Sequence, residues 1–165
     1  MKRKHELFLI CLILLAASFF RFWHLAERAP FLGDQGRDLL EIRRQLLAGQ
    51  IPLTGPPTSQ GANAGPAYYY LIIPPLLLSK FNPLGPILFF TAFGVITTFL
   101  IWHLGYQLFG FLPALISSLL YAISPIVILR TLGVWNPVPV PLLVLLILYS
   151  LYQIQEKKKF GWFIT

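Results

Sequence analysis

Asp34, Arg37 and Asp38 stand about one helical turn apart in the segment Gly33-Asp-Gln-Gly-Arg-Asp38, directly after a long hydrophobic stretch. A carboxylate at that point sits at the boundary between water and lipid, where a lipid-borne substrate presents its polar head. Arg37, one turn beyond Asp34, carries the planar fork that holds a phosphate through two parallel hydrogen bonds. Each residue also has a plainer reading. Aspartate is a preferred N-terminal helix cap, Arg37 stands four residues before Glu41 and can pair with it, and Asp38 reads as a solvated acid in a first helical turn. The placement favours an enzyme acting on lipid-linked substrates over a plain anchor, provided the surrounding elements hold Asp34 at that boundary.

Those elements are membranous. The 165 residues are 56% hydrophobic and 12% charged, with a mean hydropathy of +0.70. Soluble domains carry roughly 25% charged residues, so long uncharged runs at this composition read as an integral membrane protein. The net charge of +7 comes largely from clusters at Lys2–Lys4 and Lys157–Lys159 that flank apolar segments. Basic flanks set orientation and touch anionic lipid; no basic stripe suits a nucleic acid. Cys11, the single cysteine, has no internal partner. The basic start followed by Leu7–Phe20 imitates a signal peptide, but apolar and aromatic residues continue through Trp23, which favours an uncleaved first span.

The expected fold class is all-α and polytopic, a single membrane domain over residues 1–165. Four segments are apolar enough to span: Leu7–Leu25, Pro86–Tyr106, Phe111–Leu129 and Pro137–Ile154. Arg21, at the outer end of the first, is expected to snorkel to the interface among Phe19, Phe20, Phe22 and Trp23. An even number of crossings puts both basic clusters on the cytoplasmic side, so Ala26–Gly85 becomes one long external loop. Within it, Pro66–Phe81 is too short for a comfortable span and is interrupted by Pro74-Pro75, which reads as a kinked re-entrant or surface helix. Asp34 to Ala48 forms an amphipathic helix, with Leu39, Leu40, Ile42, Leu46 and Leu47 on one side and Gly49 as its stop. Arg43 projects from the apolar side, to snorkel or to meet a lipid phosphate. The Gly- and Pro-rich stretch from Pro52 to Pro66 is a linker or a loop that closes over substrate. The end, Phe160-Gly-Trp-Phe-Ile-Thr165, reads as the opening of another span, and hence the chain as the N-terminal module of a longer protein.

In this order the parts resemble the N-terminal module of the GT-C superfamily of membrane glycosyltransferases, nearest the branch of protein O-mannosyltransferases and aminoarabinose transferases. The matching elements are Gly33-Asp34-Gln35 opening a helix that ends Leu46-Leu-Ala-Gly49, and Gly65-Pro66-Ala-Tyr-Tyr-Tyr70, similar to the family's Pro-x-Tyr-Tyr element. Gly105-Tyr-Gln-Leu-Phe-Gly110, Ser124-Pro125 and Arg130-Thr-Leu-Gly-Val-Trp-Asn-Pro137 follow in the family's order. Gln35 stands where a second acid is frequent, Ala64-Gly65 where a basic residue or histidine is, and Asn136 where an acid is.

The resemblance implies inverting transfer of a sugar from a polyprenyl-phosphate carrier to an acceptor hydroxyl or amine on a protein, lipid or glycan at the outer membrane face, with a cytoplasmic N-terminus. Such chemistry needs a base near the acceptor and positive charge near the leaving phosphate. It implies Asp34 as the base and brings Arg37, Arg43, Tyr69, Arg130 and Asn136 forward as substrate-binding candidates. Tyr68, Tyr69 and Tyr70 could stack on a sugar, though interfacial tyrosine is common. Arg130 as a headgroup anchor and Asn136-Pro137 as an ordinary turn are the plainer readings. His103, near the inner end of the second span, reads as neutral and structural. No metal-ligand spacing, phosphate loop or nucleophile triad is present, so a divalent cation has no support from spacing. The competing readings are a membrane scaffold that docks a partner on the Leu39/Leu46 face, and part of a transporter or lipid flippase.

Overall fold

The computed structural model describes residues 3–157 and 161, and these form an all-helical membrane protein. The basic residues at 2, 158 and 159, and all but Gly161 of the expected further span at 160–165, lie outside the described residues. The helices are α1 (Arg3–Phe22), α2 (Leu25–Arg28), α3 (Gly33–Leu47), α4 (Ala67–Leu78), α5 (Leu84–Phe109), α6 (Phe111–Ile123), α7 (Pro125–Thr131) and α8 (Val140–Lys157). α1 and α5 are each long and apolar enough to cross a bilayer. α5 is the hub, packing on α1, α4, α6, α7 and α8.

The expected span Phe111–Leu129 is not one rod. It breaks at Ser124 into α6 and α7, bent by 63°, and only jointly does the pair have the length and composition of a span, as a broken crossing or a re-entrant loop. Pro125 explains the break. It has no N–H to give the Tyr121 carbonyl, its ring clashes with that turn, and its fixed φ suits the first position of a new helix. α8 covers the fourth expected segment as a shorter apolar helix, about 27 Å long at 1.5 Å per residue.

The break leaves carbonyls that a hydrocarbon surrounding cannot hydrate. Arg21 meets them. Its Nη2 donates to Tyr121 O at 3.2 Å, its Nη1 to Ala122 O at 3.0 Å and to Ala17 O at 3.2 Å, and its Nε to Thr131 Oγ1 at 3.3 Å. The guanidinium also lies over the Tyr121 ring, 5.6 Å from its centroid. Arg21 therefore does not snorkel to an interface; it is 0% exposed. The freed acceptors at the bend hold it inside. Small residues make the room: Ala17 and Ala122 are fully buried beside it, and Gly94 of α5 faces its side chain.

The connection from α1 to α5 is packed, not draped. One core cluster joins Leu25, Leu39 and Ile42 to Tyr68, Tyr69, Ile72 and Leu76, and on to Ile87 and Phe90 of α5 and Ile128 of α7. The buried stripe of α3 runs Gln35, Asp38, Leu39 and Ile42, with Leu46 partly covered, while Leu40 and Leu47 of the expected apolar side are exposed. The Leu39/Leu46 face that a scaffold would have offered to a partner is thus taken by α4. Pro74 and Pro75 do not interrupt α4, which runs unbroken through both. Contacts of Ile72, Pro75 and Leu76 hold it in spite of the two missing donors. It ends in a left-handed turn at Lys80 and Phe81, with φ of 53° and 63°.

A Cβ on Gly94 would lie 2.5 Å from Arg21 Nε and 3.0 Å from its Cδ, atoms pinned by the bonds above. Gly94→Ala is expected to destabilise the fold by about 1–3 kcal/mol through overpacking. Thermal unfolding in detergent reads this, with Gly33→Ala, where a Cβ meets nothing within 4 Å, as the tolerated control.

Candidate active site

α3 starts two residues earlier than an Asp34 cap would set it. Leu32 is the capping residue, and its N–H is taken by Gln35 Oε1 at 3.2 Å, while Gly36 N donates to Leu32 O. Asp34 is therefore the second residue of the helix rather than its cap. Its carboxylate points outward with 73% of the side chain exposed. That orientation leaves an oxygen free for a ligand, next to a helix N-terminus that favours negative charge.

Arg37 does not pair with Glu41. It donates to Asp34 Oδ1 at 2.9 Å through Nη1, and to Asp38 Oδ1 at 2.9 Å through Nη2 and 3.1 Å through Nε. Glu41 is taken by Arg44 and Gln45 instead. Asp38 is not solvated; it is 5% exposed and also accepts from the Tyr69 hydroxyl at 3.1 Å. The packing of α3 on α4 turns it inward, toward a tyrosine 31 residues away. The hydrogen bond to Asp38 raises the Arg37 pKa. Burial, then the Asp38 charge, pushes the Tyr69 hydroxyl up, so it stays a donor.

A closed loop faces this chain of bonds. Gly55 N donates to Ala64 O, Ala64 N to Pro56 O and Thr58 N to Ala62 O, with an isolated antiparallel bridge at Pro57 and Asn63. At its neck a Cβ on Gly55 would collide with the Gly65 carbonyl, so only glycine lets the strands approach this closely. The fifteen-residue stretch is thus a clasped loop rather than a slack linker.

Three clefts follow. One, of about 170 Å³, is lined by Asp34, Gln35, Leu32, Arg130 and Trp135. The second, of about 250 Å³, is lined by Asp34, Arg37, Asp38, Trp135 and Asn136, with Pro56, Pro57 and Thr58 of the loop as its other wall. Both include Asp34 and Trp135. The third, also about 250 Å³, holds Arg37, Glu41, Gln45, Asn63 and Tyr69. Among the described residues no carboxylate pairs with Arg130; its guanidinium sits 5.6 Å from the Trp135 ring centroid. A further apolar groove of about 490 Å³, lined by Tyr121, Ile126, Val127, Thr131 and Pro141, shares Arg130 and Trp135 with the first cleft.

The structure thus gathers Asp34, Arg37, Arg130 and Asn136 around Trp135. It does not bring Arg43 there: that guanidinium lies 5.8 Å from the Phe81 ring centroid, at the other end of α3. Tyr69 borders the third cleft, but its ring is 2% exposed and packs in the core with Tyr68, so neither ring is free to stack on a sugar. Tyr70 is exposed. His103 is hydrogen-bonded to Gln107 at 2.6 Å and stacked on Phe99, as a structural histidine. Residue type alone does not bring Trp135 forward; the structure does, between two candidate polar groups, Arg130 and Asn136. Among the described residues no group of three or more metal-ligating side chains gathers.

A family model for dolichyl-phosphate-mannose-protein mannosyltransferase matches residues 63–165, more than half of the chain. No curated protein and no solved structure matches. The matched stretch contains Tyr69, Arg130, Trp135 and Asn136; Asp34, Arg37 and Arg43 precede it.

Tyr69→Phe removes one donor from a buried carboxylate and is expected to cost about 1–3 kcal/mol. Thermal unfolding of the detergent-solubilised protein measures it. The ring packing on Tyr68 survives the change, so a loss confined to the hydroxyl is what is read.

Proposed function

We propose, because this chain belongs to the dolichyl-phosphate-mannose-protein mannosyltransferase family, that it transfers a sugar from a polyprenyl-phosphate carrier to an acceptor hydroxyl or amine, with inversion. Membership makes it an integral membrane glycosyltransferase of the mannosyltransferase type; the donor, the stereochemistry and the residue roles are our reading. The observation that carries this reading is the position of Asp34. Its exposed carboxylate lines the cleft that holds Arg130 and also the cleft that holds Asn136.

In this reading the acceptor enters beside Asn136 and gives its proton to Asp34. The acceptor atom attacks the anomeric carbon from the face opposite the phosphate, and the carbon–phosphate oxygen bond breaks as the new bond forms. The departing phosphate gains charge and needs a cation already in place. Arg130 suits that role better than Arg37, because Arg37 is already held by two carboxylates, while among the described residues Arg130 rests on an aromatic face and pairs with no carboxylate. Arg37 then serves to orient Asp34, tying it to Asp38 and Tyr69. The carrier's hydrocarbon chain lies along the apolar groove beside Arg130. The clefts lie on the outer face, with the N-terminus in the cytoplasm, on the strength of the basic flanks.

Asp34→Asn is expected to lower turnover with polyprenyl-phosphate mannose by about 10²–10⁴-fold, the usual weight of a general base. Near wild-type turnover at normal expression removes Asp34 from that role. Arg130→Ala is expected to raise the donor KM by about 10–100-fold, the weight of a charge-assisted hydrogen bond. Asp34→Cys in a Cys11→Ser background should react with an impermeant thiol reagent added outside intact cells. Modification only from within reverses the orientation and ends the reading.

A further inference from the structure

We propose that Arg21 is a positioning residue for the donor phosphate, acting at a distance through α7. The proposal rests on the reading that Arg130 meets that phosphate. Arg21 has no exposed surface, so it cannot touch substrate itself. Its planar head is anchored on two sides by backbone: the Ala17 carbonyl of its own helix, and the Tyr121 and Ala122 carbonyls at the end of α6. Its remaining described donor, Nε, goes to Thr131 of α7. Thr131 directs its hydroxyl hydrogen back to the carbonyls of Val127 and Ile128, which leaves an oxygen lone pair aimed at Arg21.

That bond acts together with the core packing of Ile128 and Leu132 to set the rotation of α7. The helix has seven residues, and Ser124 at its start makes no side-chain cap. A helix this short has little stability of its own, so its orientation comes from what it touches. Successive residues turn by about 100°, so holding Thr131 inward against Arg21 turns its neighbour Arg130 outward. There Arg130 enters the cleft shared with Asp34. Tyr121 and Thr131, both partners of Arg21, also line the apolar groove that shares Arg130 with this cleft. One buried cation thus helps to fix both the groove's lining and the phosphate ligand. A charge at this depth is costly, and an apolar residue with an unbroken helix would be simpler if only stability were at stake.

The test uses the full chain in proteoliposomes, with Arg21→Gln, Arg21→Lys and Thr131→Val. Thr131→Val leaves the three carbonyl bonds of Arg21 in place and removes only the link to α7, so it decides the matter even where Arg21→Gln fails to fold. Both Arg21→Gln and Thr131→Val are expected to raise the KM for polyprenyl-phosphate mannose about tenfold or more, while kcat changes much less, as misplacement of a binding group does. Arg21→Lys, which keeps the charge and some donors, recovers part of the donor affinity. A second readout needs no activity. Leu32→Cys and Leu129→Cys, on opposite walls of the Asp34–Arg130 cleft, are bridged by a short bifunctional thiol reagent in a Cys11→Ser background. Bridging slows about tenfold in the Arg21→Gln and Thr131→Val proteins if α7 loses its orientation. Unchanged donor KM in Thr131→Val, with bridging at the parent rate, overturns the proposal. If the unmutated protein transfers no sugar from this donor, the functional reading fails by itself, and the bridging rates alone decide the role of Arg21.

Discussion

In a hydrocarbon medium a backbone carbonyl without a donor has nowhere to turn, and the protein is arranged around one place where that happens. Pro125 ends α6 inside the bilayer-facing bundle and withdraws the donor that the Tyr121 carbonyl would have had. The repair comes from another helix, not from a local cap. Arg21 brings several N–H groups on one planar head and a positive charge to the negative end of α6. Because the same head also reaches Ala17 and Thr131, the repair joins α1, α6 and α7 at a single point. A lysine has one donor too few for these four acceptors and lacks the fixed fan that meets acceptors on three elements at once.

The bend has a second effect, on where the chain goes next. α7 leaves the α6 axis by 63° and delivers residues 130–138 against the start of α3. Those residues would otherwise follow a straight span away from the α3–α4 layer. The two arginines that meet there sit in different surroundings. Arg37 is bracketed by two acids on its own helix, and Arg130 rests on an indole face. The first has its charge matched within the protein, and the second has its charge on offer. The core running from Leu25 through Ile42, Tyr69 and Ile72 to Phe90 and Ile128 keeps the layer carrying the first in register with the helix carrying the second.

Much of this architecture is legible in the residue pattern, because it follows from local periodicity. The apolar runs, the two helices of the long loop and the stop at Gly49 are all set by neighbours a few positions away. What escapes are features that depend on a distant partner. Arg21 reads as an interfacial cation because its position near a span's end is visible and the broken helix that receives it, about a hundred residues on, is not. Asp38 reads as a surface acid because its burial depends on Tyr69. The proline pair in α4 reads as an interruption because propensity is visible and the packing of Ile72 and Leu76 that overrides it is not. Around the clefts, Asp34, Arg130 and Asn136 could be picked out as residue types. Their shared neighbour Trp135 could not, since an indole near a membrane surface is unremarkable until it is seen between them.

The last cross-link of the loop, from Thr58 N to Ala62 O, separates two parts of it. Below it, Pro56, Pro57 and Thr58 form a wall; beyond it, Gln60 and Gly61 stand clear of the clefts. Added chain at that tip would lengthen the protrusion while the wall stays where the paired backbone puts it. Size and stickiness of the outward projection can therefore drift, or be redesigned, as a handle that leaves the interior geometry untouched.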